Sequence, residues 1–150
     1  MRNNKGVTLV ALVITIIVLL ILAGVSLAML TGDSGILTNA DAAKKETAIS
    51  NAKSSIEMAY MDIKTEVYAL EAKKTTAQAV TFTSAQMKKA AEKYITTASD
   101  VTITPASDTS VNEIVIAYTD ENINLEATIT YDSTKSPRVS LKWTDGKAPK

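Results

Sequence analysis

The 150-residue chain has no cysteine, no histidine, five glycines, three prolines, one tryptophan and one phenylalanine. Without cysteine, neither a disulfide nor a thiolate metal site can form. Without histidine, the usual general base, the usual pH switch and the commonest metal ligand are all missing. Neither sign of charge is in excess, because sixteen Lys and Arg balance sixteen Asp and Glu. No net field therefore gathers nucleic acid, and no nucleic-acid partner is expected. Neither an enzyme, a metal site nor a cofactor is expected from what remains. The length suits one modest domain once an apolar segment is set aside.

The largest absence is local. No side chain between Gly6 and Gly32 can ionise, and residues 7 to 30 carry only the hydroxyls of Thr8, Thr15 and Ser26. Each hydroxyl is small enough to bond back to its own helix. At about 1.5 Å per residue this stretch makes a helix of roughly 36 Å, enough for a bilayer core of about 30 Å. A water-soluble core helix of that length would show a polar face, and this one has none. Arg2, Lys5 and the terminal amine precede the apolar run, whereas Asp33 is the first charge beyond it. That asymmetry predicts a single-pass cytoplasmic-membrane topology with the N-terminus in the cytoplasm and the remainder exported. A secretory signal has an apolar core of about 7 to 15 residues, shorter than this run.

The segment Lys5-Gly6-Val7-Thr8-Leu9-Val10, with the apolar helix behind it, resembles the N-terminus of type IV prepilins and of type II secretion pseudopilins. The resemblance implies a basic leader of residues 1–6 carrying Arg2 and Lys5, cut after Gly6 by a prepilin peptidase. Val7 would then become the N-methylated first residue. Cutting before the apolar run leaves the anchor on the mature chain. The implied function is that of a structural subunit of a pilus-like or pseudopilus filament at the cell surface. Its partners would be the membrane, the peptidase, other pilin subunits and an assembly machinery. Thr8, Ala11, Thr15, Gly24 and Ala28 put small residues on the helix at helical spacing, and small residues let helices approach closely; by resemblance they pack in a filament core. Ala11 stands where the family usually carries Glu, which leaves a minor or tip subunit open. The family's frequent C-terminal disulfide cannot form here.

Beyond the apolar run, Thr31-Gly32-Asp33-Ser34-Gly35 predicts a helix end and a new start. Gly32 and Gly35 mark a kink or brief break, with Asp33 or Ser34 as cap. Helical periodicity then returns through Lys73: Ile49, Ala52, Ile56, Ala59, Ile63, Val67 and Leu70 recur every three or four residues as one apolar stripe. Thr83 or Ser84 should cap a short helix running from Ala85 to about Thr97, with Met87, Ala91, Tyr94 and Ile95 on one side. Four runs alternate with period two: 101–105, 111–118, 123–131 and 138–143. Such runs predict an antiparallel sheet with one wet face. A striped helix and a one-faced sheet each need cover and can cover each other. The expected core is Ile49, Ile56, Ile63, Val67, Leu70, Ile129, Leu141 and Trp143. The expected fold class is therefore α+β, a long N-terminal helix whose first half spans the membrane, packed on a small antiparallel meander. This is also the pilin layout. The divisions are 1–6 leader, 7–31 transmembrane or filament-core helix, 32–73 amphipathic continuation and 74–150 exported head.

Three short motifs have plainer readings. Gly32-Asp33-Ser34-Gly35 matches a serine-protease nucleophile tetrapeptide, but no histidine exists to activate Ser34. Ser50-Asn51-Ala52-Lys53 fits Ser-x-x-Lys without the companion elements of that chemistry. Asp120, Glu121, Asp132 and Asp145 could offer oxygens to calcium, yet their spacing resembles no calcium loop and suits turns. The rival to the filament reading is an uncleaved single-pass protein with an exported binding domain.

Overall fold

The computed structural model describes residues 5–32, 35–75, 80–106, 112–120 and 123–144. Helix α1 (Lys5–Thr31) is followed by α2 (Ile36–Ala72) and the short α3 (Ser84–Ala91). Strands β1 (Val101–Pro105), β2 (Asn112–Thr119), β3 (Asn124–Tyr131) and β4 (Val139–Trp143) form one antiparallel meander in chain order. The fold is α+β, and its order of elements is consistent with a pilin-like fold. The chain divides into two compact units, Met1–Lys44 and Lys45–Lys150. The sheet-bearing unit takes in α2 from Lys45 onward, and so begins well before residue 74, where the head is expected to start.

The period-two runs give the sheet its inner face. Leu125, Ala127, Ile129 and Tyr131 alternate as buried positions along β3. The register sets Ile103 opposite Ile116, Ile116 opposite Ala127, and Ile114 opposite Ile129, with Ile129 opposite Leu141 on the other side. Rows of β-branched side chains across neighbouring strands are what a half-buried pleated surface favours. Into this face packs the stripe of α2: Ile56, Ala59, Ile63 and Val67 are fully buried and join the sheet residues in one core. Ala52, Ile123 and Leu125 form a smaller cluster, with Ile49, Tyr118 and Trp143 partly buried beside it.

α3 closes the core from one end through Met87, Ala90 and Ala91. Thr83 caps it: its hydroxyl accepts the Gln86 backbone N–H while the Gln86 side chain accepts the Thr83 N–H. This reciprocal box satisfies two N-terminal donors at once. The helix stops at Ala91, well short of Thr97. The N–H groups of Lys93 and Tyr94 reach back three residues, to Ala90 and Ala91, and the β-branched Ile95, Thr96 and Thr97 that follow are poor helix formers. Ile95 is nevertheless buried, and Tyr94 is exposed.

Leu70 differs from expectation. It belongs to the stripe by spacing but is 39% exposed, because it lies one turn past Val67, the last position of α2 buried in the core. Ile49, Leu141 and Trp143 are half-buried, and Ile129 is fully buried.

Replacing the fully buried Ile63 by Ala should lower the unfolding free energy of the sheet-bearing unit by about 2–5 kcal/mol, since the cavity cannot close fully. Lys53→Ala, on the exposed face of α2, should stay within about 0.5 kcal/mol of the parent. Denaturant titration of both variants measures the difference.

Candidate functional site

α1 is the part of the chain whose chemistry the fold does not consume. Its large apolar side chains, from Leu9 to Leu30, are exposed on every side, with Leu19 and Leu20 at 64% and 67%. It is long and apolar enough to cross a membrane. The hydroxyls within it are turned inward on the backbone. Thr15 donates to the Leu12 carbonyl at 2.8 Å, Ser26 to Leu22 at 2.8 Å and Thr31 to Leu27 at 2.9 Å. A polar group in hydrocarbon costs several kcal/mol unless bonded, and these three are bonded without help from outside the helix.

Of the small residues expected to line a packing surface, Thr8, Ala11, Thr15, Gly24 and Ala28 all lie on α1 and all are exposed. A Cβ built on Gly24 would meet nothing within 4 Å, so its surface is open to a neighbour. Lys5, Gly6 and Val7 fall in the first turn of α1, and Arg2 lies outside the described residues.

Gly32 and Gly35 sit between the two long helices for a steric reason. A Cβ on Gly32 would stand 2.7 Å from the Ala28 carbonyl oxygen. One on Gly35 would stand 2.7 Å from that of Leu30 and 2.8 Å from that of Gly32. These carbonyls stand too close for any side chain at either position. The Gly35 N–H donates to Gly32 at 2.7 Å, and the Gly35 carbonyl accepts the Asn39 N–H that opens α2. Gly35 is therefore the N-cap position of α2, where Asp33 or Ser34 was expected; both of those residues lie outside the described set. Thr38 adds the hydroxyl, donating to the Gly32 and Gly35 carbonyls.

The sheet-bearing unit carries its own polar groups, and their geometry shows structural ties. Lys93 reaches Asp62 at 2.8 Å and Glu66 at 2.7 Å, holding the turn after α3 to α2. The hydrogen bond to Asp62, then that to Glu66, pushes the Lys93 pKa well above its usual value. It is held as an ammonium ion and is no nucleophile. Arg138 Nη1 lies 2.6 Å from Glu71 Oε1, a close ion pair whose alignment is poor for a hydrogen bond. Tyr131 donates its hydroxyl to the Val80 carbonyl and meets Phe82 edge-on. Burial raises the Tyr118 pKa, against a smaller opposing hydrogen bond from Ser55.

The candidate calcium ligands are occupied in turns. Asp120 accepts the Ile123 N–H. Asp132 accepts the hydroxyl and then the backbone N–H of Thr134 and pairs with Lys135, which together bring its pKa down to about 2. Glu121 and Asp145 lie outside the described residues. Among the described residues no three His, Cys, Asp or Glu stand together as a metal site. Ser50 is exposed, and the Lys53 ammonium lies 3.9 Å from Glu57. The Lys93 and Arg138 ties went unread in the sequence. Their only signal was the i, i+4 spacing of Asp62 and Glu66, which names no distant partner.

No protein-family model, curated protein or solved structure matches this chain.

A charge placed mid-helix should undo the one property α1 has. Leu19→Arg is expected to cost about 2.5–3.5 kcal/mol of membrane insertion. Carbonate extraction of membranes should release a larger fraction of this variant than of the parent chain, while the sheet-bearing unit stays folded by circular dichroism.

Proposed function

We propose that this chain is a structural subunit of a type IV pilus-like or pseudopilus filament, made as a membrane precursor and trimmed after Gly6. The observation that carries the reading is α1: an apolar helix exposed all round, hydroxyls bonded to its own backbone, directly behind Lys5-Gly6-Val7-Thr8-Leu9. Such a surface needs lipid before assembly and other apolar helices after it. Small residues at Thr8, Ala11, Thr15, Gly24 and Ala28 suit close helix packing in that second setting. Trimming after Gly6 keeps the helix on the mature subunit and frees the Val7 amine for methylation. The work of this protein is then assembly, with the peptidase and the assembly motor supplied by other chains.

Ala11 bears on the kind of subunit. In place of a carboxylate that could neutralise a neighbour's Val7 amine it offers only a methyl group, so nothing at this position holds that amine by charge. An unpaired charge in an apolar core is expensive. A subunit without the pairing group suits a minor or tip position, where no amine from a further subunit must be met. The same residue favours the second reading, an uncleaved single-pass anchor for an exported binding domain, since an anchor has no use for the carboxylate.

The two readings part at Gly6. Under the filament reading, Gly6→Arg leaves the precursor uncut and removes the protein from material sheared off the cell surface. Under the anchor reading, electrophoretic mobility and membrane fractionation are both unchanged.

A further inference from the structure

The two edges of the sheet are finished differently. The β1–β2 ladder continues through Thr119 N–H to Asp100 and Ala106 N–H to Glu113, so in β1 the residues pointing away from β2 are Val101, Ile103 and Pro105. Val101 exchanges both its backbone bonds with Ala98, at 3.0 and 3.2 Å. Pro105 has no N–H to give. That edge is blunted by a bridge at one end and a proline at the other, with Ile103 the outward residue between them.

At β4 the ladder is fixed by Asp132 N–H to Arg138 and Thr144 N–H to Glu126, which turns the backbone groups of Val139, Leu141 and Trp143 outward. The Tyr60 hydroxyl donates to the Val139 carbonyl at 3.4 Å and takes one of its two lone pairs. No described residue bonds the outward groups of Leu141 or Trp143. The strand itself contains no proline, and the Leu141 and Trp143 side chains are half-buried with surface left to cover.

We propose that the β4 edge pairs antiparallel with β4 of a second copy about a two-fold axis through Leu141. The sequence is self-complementary in that register. Val139 faces Trp143 and Leu141 faces itself, all on the inner side, so the apolar layer continues across the seam. On the outer side Lys142 faces Ser140, and no like charges oppose each other. The two-fold axis pairs the two β4 edges with each other, and the blunted β1 edges disfavour further pairing, so the product is a closed dimer of heads. The inference rests on the sheet alone and is independent of how α1 is read.

Ser140 and Lys142 are both exposed, and the parent chain has no cysteine, so both can be changed without disturbing the core. Full-length Ser140→Cys and Lys142→Cys chains are mixed in detergent micelles and oxidised. The pairing predicts a disulfide between the two variants on mixing, because these positions face each other at about 4.5 Å between Cα atoms, within disulfide reach. Either variant alone should cross-link far more slowly, its like positions being diagonal at about 7–8 Å. Ser140→Glu should tighten the dimer and Ser140→Lys weaken it, each by about fivefold, through two symmetric pairs with Lys142. Cross-linking without register preference, as association through α1 would give, overturns the proposal. So does an absence of cross-links, or a dimer indifferent to charge at position 140.

Discussion

Everything in the sheet-bearing unit depends on one contact surface, the stripe of Ala52, Ile56, Ala59, Ile63 and Val67 laid on the inner face of a four-stranded meander. Each half needs the other as cover: the sheet alone would leave its apolar face in water, and an isolated helix of this composition has little to hold it. Each buried isoleucine removes from water an area worth about 1.5–3 kcal/mol, and isoleucine is the commonest residue of this core. The remaining contacts sharpen this arrangement. Lys93 fixes the turn after α3, Arg138 ties the start of β4 to the end of α2, and the Thr83–Gln86 box starts α3 where its apolar side meets the core.

α1 solves the opposite problem. It has no polar face to show to water and, among the described residues, no partner within its own unit to cover it, and the hydroxyls of Thr15, Ser26 and Thr31 are met by backbone acceptors three or four residues back. Such a helix is a component waiting for an apolar environment. Gly32 and Gly35 end it abruptly, and the close carbonyl approaches there leave no room for a side chain. Beyond them α2 is exposed through its first turns, and its buried stripe begins at Ala52.

Where the physics is periodic, the sequence was readable. Alternation from Ile123 to Tyr131 gave the burial pattern of β3 residue by residue, and spacings of three and four from Ala52 to Val67 gave the covered face of α2. Local rules failed where a tertiary contact or a chain end decides. Leu70 keeps the spacing but lies past the last covered position, and Tyr94 lies past the end of a helix that β-branched residues cut short. Gly35, and neither of its polar neighbours, occupies the cap position because only a residue without Cβ fits between two carbonyls. The ion pairs of Lys93 and Arg138 join residues tens of positions apart, and nothing in local composition announces them. The blunted β1 edge and the open β4 edge follow from ladder parity, which a single strand cannot reveal. On the proposed reading Lys5-Gly6-Val7 is of another kind, since a processing signal resides in residue identities read by an enzyme.

The mass of the N-terminal peptide tests the central claim most directly, taken from protein in the producing cell's membrane and in material sheared from its surface. The account predicts a chain beginning at Val7 with one added methyl group, present in the sheared fraction. An intact Met1 confined to the membrane fraction would contradict it and leave an anchored domain in its place.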